Sequence, residues 1–264
     1  MSDTLDRAAL KRNARELLRT AQVSPKGMTA LYCGLTVLLN VLDYLAGTLL
    51  TGGGAEAFSL FVSIFTTLFS WILAAGFAIY CMGIRRREIM GYGTLFDGLS
   101  FTAKIIALVF VMSFFIFLWS LLFVIPGFIA VYRYRFALYN LYDNPSLGIL
   151  EALDLSKRQT LGWKLELFKL DLSYLGWNLL ASLPSLYWDF KLYFQVLSDP
   201  YAVLTVSTSL TEILVCGVWS LAVSLFYLPG WQCVMLDYFD AARAASSGGK
   251  AALPEEGSDD SEGF

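Results

Sequence analysis

Four charged residues sit where a membrane span should be uncharged. Residues 162–180 read GWKLELFKLDLSYLGWNLL, long and apolar enough to span, yet Lys164, Glu166, Lys169 and Asp171 fall in the first half. An ionised group in hydrocarbon costs a few kcal/mol or more unless it is paired or reaches water. Two uses follow: the charges staple a helix bundle, or they line a polar pathway for an ion or a head group. Glu166 and Lys169 are neighbours at i,i+3, and Lys164 and Asp171 share a face at i,i+7. Counted at helical rise from Gly162, Asp171 lies about 13 Å deep, and Arg135, counted from Gly127 on the opposite side, about 12 Å. Across a core of about 30 Å the two meet within about 5 Å of one level. By the same count Asp43 and Arg133 lie about 8 Å and 9 Å from the outer surface. The expected cross-span pairs are therefore Arg135 with Asp171 and Arg133 with Asp43.

Other chemistry is scarce. The chain has no histidine, which removes the commonest general base and transition-metal ligand. Cys33, Cys81, Cys216 and Cys233 stand alone, without metal-ligand spacing, and read as small buried apolar residues. Asp97 and Asp143 are carboxylates available for acid–base work, but no spacing joins them. Nothing suggests a metal, a cofactor or nucleic acid, so a non-enzymatic protein is expected.

The elements that must hold these residues are apolar helices. The 264 residues are 57% hydrophobic and 16% charged, against about 25% charged in soluble domains, and the mean hydropathy is +0.60. A core of about 30 Å needs roughly 20 apolar residues, which predicts spans at about 28–50, 57–84, 101–125, 128–142, 162–183 and 210–228. An all-α polytopic membrane domain over 28–240 results, of six spans with surface helices. The charged opening and the length of the first apolar run do not fit a cleavable signal, so the first span is expected to direct its own insertion. Within residues 1–27, Leu10, Ala14, Leu17, Leu18 and Ala21 recur at helical spacing, opposite Lys11, Arg12, Arg15 and Arg19. Such a basic amphipathic helix either lies on an anionic leaflet or packs on the ends of the bundle. A second amphipathic helix is expected over 147–162, with Leu147, Leu150, Leu153 and Leu155 on its apolar face. Past Pro184, Tyr187, Trp188, Phe190, Tyr193 and Phe194 suit a water–lipid boundary. Residues 241–264 read as a disordered acidic tail.

Charge asymmetry orients the domain. With both termini cytoplasmic, the outer side carries only Lys191 of the 19 lysines and arginines. The plasma membrane is the expected location, with membrane lipids, other membrane proteins or a second copy as partners. One further pattern, WSLLFVIPG at 119–127 against WSLAVSLFYLPG at 219–230, reads as a weak inverted repeat, as in transporters.

These segments together resemble a bacterial membrane family, domain of unknown function 975. The resemblance rests on LKRNARELL at 10–18, Pro126-Gly127, YRYRFALY followed by DNP, EALDLSK at 151–157 and, most specifically, GWKLELFKLDLSYLGW at 162–177. Gly162, Trp163, Lys164, Phe168, Asp171, Leu172, Ser173, Gly176 and Trp177 carry that last motif. The chain departs from the family in the aromatic insertion 185–201, in Gly230 after Pro229 and in Tyr238-Phe239. The family looks loosely like membrane domains found beside glycerophosphodiester phosphodiesterases, which points to lipid-related work. The resulting expectation is a protein acting through lipid or protein contacts, with a small transporter or channel around Arg135 and Asp171 as the alternative.

Overall fold

The computed structural model describes residues 7–49, 54–199 and 209–248, and among them there is no strand. Residues 50–53, most of the turn after the first span, and the acidic tail from residue 249 lie outside the described residues. The helices are α1 (Arg7–Thr20), α2 (Pro25–Leu49), α3 (Ala55–Arg85), a 3-10 helix (Tyr92–Phe101), α4 (Thr102–Leu122), α5 (Val124–Arg133), α6 (Ala137–Asp143), α7 (Ile149–Gln159), α8 (Lys164–Ser198) and α9 (Leu210–Gly248). Four stretches are long and apolar enough to cross a membrane: Pro25–Leu49, Ala55–Arg85, Tyr92–Leu122 and Leu210–Ser246. The chain is an all-α membrane protein.

The expected fourth and fifth spans are not among those four. The remaining helices fold back on these four. α2 and α3 are antiparallel, joined at one end by Ser63 Oγ donating to Asp43 Oδ1 at 2.5 Å and at the other by Tyr80 OH donating to the Val23 carbonyl at 2.9 Å. α5 turns back against α4, where a Cβ on Gly127 would overlap Ser120. Lys104, near the start of α4, donates to the carbonyls of Pro145 and Leu147, so α5 and α6 together retrace α4. Their path is broken: α5 stops at Arg133 and α6 begins at Ala137. Ser156 Oγ accepts from Phe136 N–H at 3.2 Å and donates to the Arg133 carbonyl at 2.9 Å. A side chain of α7 thus satisfies the backbone groups that the break releases.

α8 departs from the expected 162–183 in another way. Pro184 does not end a helix, because α8 runs through it to Ser198. Proline at 184 frees the carbonyl of Leu180, and Trp219 Nε1 donates to that carbonyl at 2.8 Å. The uncharged run 172–188, between Asp171 and Asp189, therefore meets α9 at Trp177, Asn178 and Leu180. The echo between 119–127 and 219–230 does not survive as a repeat. The first ends in a helix break at Phe123, whereas the second lies inside continuous α9. Residues 241–248, expected in a disordered tail, complete α9.

Packing orders the rest. The 3-10 helix lies against α3 so closely that a Cβ on Gly76 would overlap the Leu95 carbonyl. Ala152, Leu153, Ser156 and Gln159 form the buried face of α7, while Leu150 points outward at 63% exposure, against the expectation for it. Asn140 and Gln159 exchange two buried hydrogen bonds, at 2.8 Å and 2.9 Å. Asn140→Leu leaves the Gln159 amide without a partner and is expected to destabilise by about 1–3 kcal/mol. Thermal unfolding in detergent measures this, and the double change to leucine should recover part of the loss.

Ion pairs gather at the end of the bundle that holds α1. Arg85 meets Asp237 at 2.9 Å and Asp240 at 2.8 Å, and Asp143 is clasped by Arg86 and Arg243. Burial pushes the Asp143 carboxyl up, but the two guanidinium groups outweigh it and hold it below the ordinary carboxylate value.

Candidate functional site

α1 packs on α9, with Ala14 fully buried and Leu10, Leu18 and Ala21 against the core. Of the two expected placements for this amphipathic helix, the structure has the packed one. That placement turns Lys11, Arg15 and Arg19 toward α8, and with Lys26 at the start of α2 they rim a groove of about 560 Å³. Arg12 is exposed outside it. The groove floor is aromatic: Tyr174 and Trp177 from α8, Phe226 and Tyr227 from α9.

The contacts are specific. Lys11 Nζ donates to Ser173 Oγ at 3.1 Å and stands 4.5 Å from the centre of the Tyr174 ring. Lys26 Nζ lies 5.5 Å from the centre of the Phe226 ring, and Trp177 stacks on Tyr227 at 5.9 Å. Four cations and no carboxylate line the groove. Burial, together with Arg15 and Arg7, lowers the Lys11 pKa, so its ammonium would be better stabilised by an anion.

The charges that opened the sequence divide into local and cross-helix contacts. Lys169 and Glu166 pair at 2.7 Å on one face of α8. Asp171 Oδ1 lies 3.1 Å from Arg135 Nη2, and Tyr132 OH donates to Asp171 Oδ2 at 3.1 Å. The Arg135 guanidinium also lies over Trp231, 5.6 Å from the ring centre. Trp231 is 21 residues along α9 from Leu210, about 32 Å at helical rise. Trp231 thus stands near the middle of the 39-residue α9, and Asp171 lies two residues along α8 from Ser173, which Lys11 of α1 contacts.

Arg133 and Asp43 are not brought together, and no ion pair joins them among the described residues. Asp43 is held by Ser63 near the far end of α2, while Arg133 ends α5 beside Ser156 and Thr160. The expectation assumed an unbroken fourth span; the break at Tyr134 to Phe136 puts Arg133 against α7.

The long motif of residues 162–177 works in parts. Gly162 has φ +83°, the left-handed conformation that turns the chain from α7 into α8. Trp163 packs edge-on against Tyr238 at 6.2 Å, and Phe168 packs edge-on against Tyr132 at 6.2 Å. Lys164 begins α8, Asp171 holds Arg135, and Ser173 and Trp177 face the groove contacts. Gly176 has open space around it and supports no close helix approach; that role belongs to Gly76.

A second cavity was not legible from spacing. It measures about 890 Å³ and lies between α2, α3, α8 and α9, with Thr36, Asn40, Asp43, Ser63, Asp189 and Glu212 in its walls. Trp188, half-buried and edge-on to Tyr187 at 5.1 Å, neighbours Asp189 at its rim. Neither Arg135 nor Asp171 lines this cavity or the groove.

No curated protein and no solved structure matches the chain. Residues 121–241 match the model of a family described as protein of unknown function. The match includes the aromatic floor of the groove, the Arg135–Asp171 pair and the motif 162–177, and it leaves out α1 with its cations. Over residues 121–241, the chain is similar to the family DUF975.

Proposed function

We propose that this is a non-enzymatic integral membrane protein that acts through lipid contacts, and that the groove beneath α1 holds the phosphate of a phospholipid head group. The observation that carries the reading is the groove's composition: four cations, no carboxylate and an aromatic floor. Lysine and arginine side chains supply charge and donors to phosphate oxygens. Tyrosine and tryptophan settle where acyl chains give way to head groups. The clustering of lysines and arginines at the α1 end supports a cytoplasmic placement of both termini in a bacterial plasma membrane. Envelope maintenance or an accessory-subunit role suits such a protein, with other membrane proteins or a second copy as further partners. The alternative, a small transporter or channel around Arg135 and Asp171, loses support because the two charges are engaged with each other and with Tyr132 and Trp231.

The test is lipid retention. Protein purified in mild detergent should carry phospholipid visible by native mass spectrometry. Changing Lys11, Arg15 and Arg19 together to glutamine should lower retention of phosphatidylglycerol about a hundredfold, from about a fivefold loss per cation. Retention equal to the unaltered protein overturns the head-group reading.

A further inference from the structure

The second cavity has no part in holding a head group beneath α1, and its chemistry needs an explanation. It extends along α9 from Glu212 to Leu228, 16 residues or about 24 Å, most of the thickness of a hydrocarbon core. Hydroxyl and amide groups from Thr36, Asn40, Ser63, Ser220 and Ser224 face it. Thr36 donates to the Tyr32 carbonyl and Ser63 to Asp43, and these hydroxyls keep acceptor capacity that water or a polar head group in the space can use, whereas acyl chains cannot. α2 and α8 both pack on α9, but among the described residues they form no packed interface with each other, which leaves the cavity open along the side of the bundle.

At its inner end this cavity reaches Leu228, and the basic groove begins at Leu225, Phe226, Tyr227 and Pro229. One aromatic side chain stands at the join. Tyr227 stacks on Trp177 and donates its hydroxyl to Asn178 Oδ1 at 2.9 Å. Pro229 lies inside α9 and removes the hydrogen bond that would otherwise hold the Leu225 carbonyl, so the helix is weakened where the two spaces meet.

We infer that the cavity and the groove are two halves of one route by which a zwitterionic phospholipid passes its head group between leaflets, with Tyr227 as the gate. The inference rests on the head-group reading of the groove. The acyl tails remain in the bilayer through the open side. The hydroxyl and amide groups replace the water that the phosphate leaves behind, and the cations beneath α1 receive it. The carboxylates of Asp43, Asp189 and Glu212 tolerate a head group with its own ammonium and disfavour one with net negative charge. No bond is made or broken.

The experiment reconstitutes the full chain in vesicles containing acyl-labelled fluorescent phosphatidylcholine and bleaches the outer leaflet with dithionite. In protein-free vesicles about half of the label is protected, as an even distribution between leaflets requires. With protein, the protected half should be bleached. Tyr227→Ala should bleach it about tenfold faster, since one ring stack and one hydrogen bond are removed. Ser220→Trp, which fills the cavity, should restore protection. Native mass spectrometry of the same preparations reads lipid retention separately, and circular dichroism reports that each variant is folded. Retention without bleaching overturns the route and leaves the groove standing. Loss of both overturns both. Bleaching unaffected by Ser220→Trp also overturns the route, as does efficient crosslinking between copies bearing Ser63→Cys, which would make the cavity a protein interface.

Discussion

Gly76→Ala is expected to destabilise the protein by about 3 kcal/mol or more, at the upper end of overpacking costs. A Cβ there overlaps the backbone of Leu95, its carbonyl oxygen and carbonyl carbon. Unlike a flexible side-chain tip, that backbone has no rotamer to move into. The 3-10 helix would have to leave α3, carrying Leu95 and the start of α4 with it. Thermal unfolding in detergent or nanodiscs measures the effect, and Gly176→Ala is the control. Nothing lies within 4 Å of a Cβ at Gly176, so alanine should be neutral or slightly stabilising, by up to about 1 kcal/mol of helix propensity. Equal losses at the two glycines would contradict the packing described for α3.

Asp171→Asn is the second large effect. Arg135 and Asp171 are mostly buried, with 21% and 27% of their side chains exposed. Removing the carboxylate leaves a guanidinium between Tyr132 and Trp231 with no counter-charge. Breaking a buried pair costs about 3–5 kcal/mol, and partial exposure here reduces the expectation to about 2–3 kcal/mol. Arg135→Gln in the same chain should recover most of the loss, because two neutral amides can satisfy each other. If the double variant is no more stable than Asp171→Asn, the pair is not what holds α5, α8 and α9 together.

Some of this arrangement was readable from residue order alone. Mean composition, four of the six apolar windows and the basic amphipathic opening depend on local periodicity, which a one-dimensional pattern carries. The pairing of Asp171 with Arg135 rested on a different kind of reasoning, because a buried charge needs a partner at its own level and few candidates exist. The depth of that pair is not something the helix pattern sets. A helix of 35 residues is longer than a bilayer core, and nothing in α8 alone says where along it the apolar contact begins. Trp219 and Tyr227, from another helix, set that position. Pro184 misled in the same way, since the partner for the carbonyl it frees lies on α9.

What residue order settles, then, is solvent and secondary structure: a histidine-free, lipid-dissolved chain of helices with its cations gathered toward one end. Tertiary structure alone decides the sites. The groove takes its cations from α1 and α2 and its floor from α8 and α9, and the polar cavity takes its walls from four helices. Each contributing residue looks ordinary on its own helix, because a cavity is a property of the space between helices, and helical spacing describes only one helix at a time.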